Sequence, residues 1–462
     1  MNPLKKFYLI LVLSSLSSAL SAQVLPEYYR ALSLGNYAVG FKSICVFDKS
    51  RNYDLSCGDS AYSLTNKELG RPILINIWYP SYETNQTPLK IKDFFEFPST
   101  ENTAAFFKKL KDFQFKSSQE YAVEVNMKKK DLNCIYDTSY NARQKLKTEI
   151  FNNYINSTTI SCRNASPIEG DFPIIIYHQG LGGTIDENYL LLEYLASNGY
   201  IVINSAFQIA DGSGYEGGWF TGVGDYYESF SDLNFIINYC RQNNISKSNQ
   251  VMLSGHSYGA NCAIAYIGEG AKNVIGLITL DSDYGYALNN FFPKKYNPFV
   301  LEKMKFYDDL PMICFGRGDA HYRMLDSLSN STRYFITIPG MTHNDFTAQG
   351  AIGKYYFCKY ASNNPNLDIS TLNYLRICQT ILNFADSYTK KNKAFGEAEI
   401  NQGVGWQIEA SNRGQKSSLN TPFDESKKTC PTISQYIDIL KRSEEHTSEL
   451  QSHSDLVCRL LL

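Results

Sequence analysis

An excess of charge of either sign is missing from this chain, in which 44 Lys and Arg stand against 46 Asp and Glu for a formal net charge of −2. Proteins that grip nucleic acid present a basic patch or stripe, so nucleic acid is not an expected partner. No two cysteines are spaced C-x-x-C, which removes the usual sequence signature of a zinc or redox site. No internal repeat is visible, which excludes an array built from one unit. Histidine is scarce, with 6 in the chain, so a chemistry that needs an imidazole has few places to find one.

What is present is a large apolar fraction: 43% of 462 residues are hydrophobic and 14% aromatic, enough to fill a sizeable core. Both ends are set apart from that core. Lys5 and Lys6 precede the apolar run FYLILVL and the small-residue stretch SSLSSALSA, the pattern of a secretory signal over residues 1–22 with cleavage after Ala22 and a secreted or periplasmic destination. The run is shorter than the ~20 residues a spanning helix needs. At the other end, RSEEHTSELQSHSDLVCRLLL, residues 442–462, resembles translated sequencing-adapter sequence, and His446, His453 and Cys458 are set aside with it.

Of the 11 cysteines, an even number remains once Cys458 is removed, and in an exported chain some pairing is expected. The favoured pairs are Cys45 with Cys57, Cys134 with Cys162, and Cys358 with Cys378. Cys240, Cys262 and Cys314 lie in apolar runs and read as core fillers.

Between residues 23 and 441, β-rich runs alternate with helical patterns. RPILINIWYP (71–80), FPIIIYHQG (172–180), YIVINSAF (200–207), QVMLSG (250–255), VIGLITLD (274–281) and PMICFG (311–316) read as buried strands. ENYLLLEYLASNG and YYESFSDLNFIINYCRQNN read as amphipathic helices between them. This alternation predicts an α/β fold with a mostly parallel central sheet and helices on both faces. Residues 81–170 break the rhythm with a polar, Lys- and Asn-rich stretch that is too long for a loop. It is read as an insertion, either a lid-like segment over one end of the sheet or a solvated excursion.

The most informative stretch is VMLSGHSYGANCAIAY, residues 251–266. Gly255-x-Ser257-x-Gly259 falls where an apolar strand meets a small-residue helix, the context in which a sharp turn forces a nucleophilic serine into an exposed position. Small residues at 255 and 259 let backbone and helix approach it closely. A serine hydroxyl needs a base to take its proton. Outside the tail the histidines are His178, His256, His321 and His343, and His343 follows the last strand pattern, RYFITIPG, in the loop MTHNDF. His343 is favoured over His321, while His256 inside the elbow is expected to point away. The acid that orients the imidazole should come from a strand end between serine and histidine; Asp281 and Asp319 both qualify and spacing does not choose, with Asp283 a weaker third.

The segments YAVGF, RPILINIWYP, GLGG, EYLASNGYIVI, GHSYGA, LITLD and IPGMTHNDF together resemble the platelet-activating factor acetylhydrolase family of α/β-hydrolases, close to the dienelactone-hydrolase-like esterases, over most of the chain. The resemblance implies an α/β-hydrolase domain over residues 23–441. It also implies Asp281 as the acid, since most other α/β-hydrolases take it one strand later, at Asp319. The fold implies oxyanion donors at the backbone N–H groups of Tyr258 and Leu181; the family's histidine before the loop glycine is replaced by Gln179, with His178 one residue earlier. The activity implied is a serine carboxylic-ester hydrolase acting on a small ester or phospholipid with a short acyl chain, with contact to a membrane surface and no cofactor. Neither Asp281–Asp283 nor Asp319 with His321 has convincing metal-ligand spacing. The alternatives are a non-catalytic binding protein on a hydrolase scaffold and a serine peptidase. Aromatic residues in SGYEGGWFTGVGDYY, 213–227, line the pocket or merely pack the surface.

Overall fold

In the computed structural model, residues 25–51, 70–128 except 102, 140–205, 224–282 except 249, 269 and 272, 310–318, 325, 330–361, 367–391 and 394–411 are described. The apolar runs become strands β2 (Arg71–Ser81), β4 (Ile174–His178), β5 (Ile201–Ser205), β6 (Val251–His256), β7 (Val274–Leu280), β8 (Met312–Arg317) and β9 (Arg333–Ile338), and β1 (Ala38–Asp48), which was not among those runs, precedes them. Two shorter edge strands join them, β3 (Ser161–Arg163) and β10 (Gln407–Ser411). One sheet results, in the order β10-β9-β8-β7-β6-β4-β5-β2-β1-β3. Strands β4 to β9 pair in parallel, β2 runs antiparallel to both β1 and β5, and β10 antiparallel to β9.

Strands covered on both faces need apolar residues at every position rather than at every second one, and β2, β4, β5 and β6 are buried along their whole length. Alternate residues serve opposite cores. Ile175 and Tyr177 join one core with Trp78, Leu280 and Phe315, while Ile174 and Ile176 join the other with Ile75, Leu253 and Cys314. The first core packs against α4 (Tyr189–Ser197), α7 (Ala348–Ala361) and α8 (Ile369–Thr389), the second against α5 (Gly224–Gln242) and α6 (Tyr258–Gly268). At the start of β2, Arg71 forms a buried bidentate pair with Asp232 of α5, at 2.9 and 2.8 Å. Its fixed fork of donors matches a carboxylate in that way.

The short helix α1 (Glu27–Ala31) precedes β1, and the insertion carries two long helices, α2 (Ala104–Gln119) and α3 (Tyr140–Ile155). A π-helical turn, Glu120–Glu124, continues α2, and β3 returns the chain to the sheet edge beside β1. The insertion therefore contributes a strand, and its Phe151 and Tyr154 are buried in the first core.

The expected Cys358–Cys378 disulfide is not formed: both side chains are thiols, on the neighbouring helices α7 and α8. Cys378 fits the first core as a small apolar residue, which is the role the sequence assigned only to Cys240, Cys262 and Cys314. Cys57 and Cys134 lie outside the described residues, as do the expected signal (1–22) and the adapter-like tail (442–462).

Candidate active site

Three strand ends converge. β6 runs directly into α6 through Ser257, whose φ of 52° lies in the left-handed region. Few side chains adopt that conformation without support, and here the glycines provide it. A Cβ on Gly255 would fall 2.4 Å from the Gly259 carbonyl carbon, and a Cβ on Gly259 would fall 2.1 Å from the carbonyl oxygen of His178. Elbow, helix and the end of β4 are thus in direct backbone contact, which accounts for glycine at both positions.

Asp281 follows β7 with φ 41° and is almost fully buried. His343 opens a 3₁₀ turn, His343–Phe346, after β9. Thr342 and Asp345 hold that turn in a capping box: the Thr342 amide and hydroxyl donate to Asp345 Oδ2 at 2.7 and 2.8 Å. His343 Nδ1 meets Asp281 Oδ2 at 2.5 Å. The other Asp281 oxygen accepts from the Arg317 amide at 3.0 Å, and Arg317 Nε lies 2.9 Å from Oδ2. With Nδ1–H given to the carboxylate, Nε2 is the ring nitrogen left to take a proton.

Electrostatics follow from these contacts. Burial works to raise the Asp281 pKa, but the bond and charge of His343 and the Arg317 guanidinium overcome it and hold the carboxyl below its usual 3.8. Burial, followed by the neighbouring His256 ring, lowers the His343 pKa below 6.5 against the opposing pull of Asp281. His178 is pushed down to about 4, chiefly by burial.

The loop after β4 lies against the elbow, since a Cβ on Gly180 would stand 3.5 Å from the Ser257 Cβ. Leu181 follows in that loop and Tyr258 follows the serine. His178 is turned away into the core, where its ring meets the Tyr258 ring edge to face at 5.7 Å. Gln179 braces the loop by donating to the Gly183 carbonyl at 2.7 Å. The insertion fastens the loop from outside: Ser117 donates to the Gly182 carbonyl at 2.7 Å and Ser118 to Asp186 at 2.7 Å, while Gln114 accepts from the Ile185 amide at 3.1 Å.

His256 does not point away as expected. Its ring lies 4.5 Å from that of His343, with Nδ1 3.1 Å from Glu187 and Nε2 3.1 Å from the His343 carbonyl oxygen. Glu187 and Arg317 are additions that sequence reading missed; neither sits in a motif or a periodic position that would mark it. Asp319, His321 and Asp283 lie outside the described residues, as do the side chains of the aromatic stretch 213–227. Among the described residues, no group of three or more His, Cys, Asp or Glu is placed to hold a metal ion.

The strand order, with β2 and the edge strand β10 antiparallel within an otherwise parallel sheet and a strand–Ser–helix elbow at its centre, defines an α/β-hydrolase fold. No protein-family model and no curated protein matches the chain. Among solved structures, the chain is similar to a ferulic acid esterase from Streptomyces cinnamoneus, with 14% identity over 82% of this chain and 98% of that one at a TM-score of 0.49. It is also similar to an acylaminoacyl peptidase from Pyrococcus horikoshii, with 14% identity over 50% of this chain and 40% of that one at a TM-score of 0.36.

Proposed function

We propose that the protein is an exported serine ester hydrolase of the platelet-activating factor acetylhydrolase-like type, cleaving short-chain acyl esters through an acyl-enzyme. The observation that carries this reading is the 2.5 Å contact between His343 and Asp281 at the same C-terminal end of the parallel strands as a strained Ser257 at φ 52°. In this reading Ser257 attacks the ester carbonyl and His343 Nε2 takes its proton. Asp281 keeps the ring oriented and stabilises the imidazolium as it forms. The developing oxyanion accepts from the Tyr258 and Leu181 amides. The alcohol leaves with the proton returned by His343, and water then releases the acid by the same route in reverse.

The test is hydrolysis of short-chain p-nitrophenyl esters by protein lacking residues 1–22, together with labelling by a fluorophosphonate. Both should occur in the presence of a chelator, and Ser257→Ala should abolish labelling and leave at most the residual rate of a site without its nucleophile. Wild-type turnover in Ser257→Ala, or loss of activity to the chelator, would end this reading. Cleavage of acylated peptides in preference to esters would move it to a peptidase.

A further inference from the structure

We infer that Glu187 and His256 form a buried ion pair that positions the main chain of His343 and the loop beginning at Gly180, with the cationic end of the pair against the His343 ring. The inference rests on the hydrolase reading for what His343 does, but the pair itself stands on donor and acceptor geometry. His256 Nε2 faces the His343 carbonyl oxygen at 3.1 Å, and a carbonyl only accepts, so Nε2 carries a proton. Nδ1 faces Glu187 Oε1 at 3.1 Å. The Glu187 carboxyl already accepts from the Gly180 amide, at 3.1 and 3.0 Å to its two oxygens, and from the Tyr177 hydroxyl at 2.8 Å. With donors already converging on both of its oxygens, the carboxyl faces Nδ1 as an acceptor, so Nδ1 also carries a proton and His256 is an imidazolium.

Both side chains are nearly out of solvent, at 5% and 6% exposure. Burying two charges is tolerable only when each is fully hydrogen-bonded, which the four contacts satisfy. Gly180 lies at the entrance of the loop that carries Leu181, and the His343 carbonyl belongs to the residue whose ring meets Asp281. One carboxylate and one imidazole therefore tie the oxyanion loop to the base, although neither side chain needs to touch substrate. They are positioning residues. Among the described residues, the charged groups facing the His343 ring are Asp281, Arg317 and His256, and of these the His256 ring lies tilted against it at 4.5 Å.

The experiment is NMR of the full chain labelled with ¹⁵N-histidine, in wild type and in the Glu187→Gln/His256→Phe double variant, which leaves no buried charge unpaired. In wild type the His256 signals, recognised by their loss in the variant, should show protons on both ring nitrogens near neutral pH. In the variant the His343 titration midpoint should rise by about one pH unit, because a nearby cation that opposed its protonation is gone. The ester kcat should fall by about tenfold with KM little changed, as for a group that sets geometry. An unprotonated ring nitrogen on His256, or an unmoved His343 midpoint, would overturn the pair. If the double variant does not fold, Glu187→Gln alone should cost His256 one of its two ring protons, and retention of both would count against the proposal. Wild type that takes no fluorophosphonate would sink the hydrolase reading, yet the NMR result would still decide the pair.

Discussion

Two residues of the site hold left-handed backbone angles that non-glycine residues seldom adopt, Ser257 at φ 52° and Asp281 at φ 41°. Such conformations cost on the order of 1–3 kcal/mol each and persist only where surrounding contacts over-determine them. Around Asp281 those contacts are the amide bond to the Phe315 carbonyl, the Arg317 amide and the His343 ring. Asp281→Asn should therefore keep the fold, yet lose on the order of 10⁴ in kcat, because an amide does not stabilise an imidazolium. Asp319→Asn should remain near wild type, and the reverse result would move the acid one strand along. In the proposed mechanism His343 must be neutral to act as the base, and its pKa lies below 6.5 through burial and then His256. Activity should accordingly rise with pH and reach its half-value below about 6.5, as a kcat/KM profile would show. Ser257 and His343 were legible because each stands at a strand end with a local signature, whereas Asp281 and Asp319 were equal on spacing and only the family resemblance favoured Asp281, the carboxylate that meets His343 at 2.5 Å. Glu187 and the true direction of His256 were not legible, since they depend on how the loop after β4 folds over the elbow.

At the scale of elements, strands buried on both faces were read directly from unbroken apolar runs, and β2 extends only one residue past the expected 71–80. Strand β1 was not among the expected runs, and the edge strands β3 and β10 were missed as well. Of these two edge strands, one is three residues long and the other, QIEAS, alternates weakly, so neither has enough apolar pattern to separate it from a loop. The insertion was visible as an interruption, but its contacts with the loop after β4 are long-range and leave no local trace. They centre on Asp186, which accepts from Ser118 at 2.7 Å and Tyr154 at 2.9 Å, with Gln349 of α7 donating to its other oxygen at 2.7 Å. Burial raises the pKa of this carboxyl, so its ionised form depends on those donors. Ser118→Ala/Tyr154→Phe should lower unfolding stability in urea by about 1–3 kcal/mol per lost bond and slow ester turnover as the loop loosens. Unchanged stability would mean that the insertion does not brace the loop through this carboxyl.

Across the whole molecule, two buried groups pull the pH dependence of stability in opposite directions. Glu193 on α4 accepts hydroxyl bonds from Tyr29 of α1 and Ser161 of β3, joining the N-terminal segment, the insertion and the core, and burial raises its pKa from 4.5 to about 7. The folded state holds that proton where the unfolded state releases it, so the Glu193 contribution is full below about 4.5 and fades as pH rises to about 7. His178 behaves conversely: burial lowers its pKa from 6.5 to about 4, so the unfolded state takes up the proton first, and its contribution is full above about 6.5 and fades as pH falls to about 4. The two windows overlap almost completely, so the slopes of these two groups should largely cancel between about pH 4.5 and 6.5. Glu193→Gln keeps the side chain's shape and removes one slope, so the variant's stability should rise with pH more steeply than the wild type's across that window. Urea unfolding at several pH values measures the difference directly; parallel curves for wild type and Glu193→Gln would show that Glu193 ionises alike in the folded and unfolded chain and that its three-way junction does not discriminate between the two protonation states.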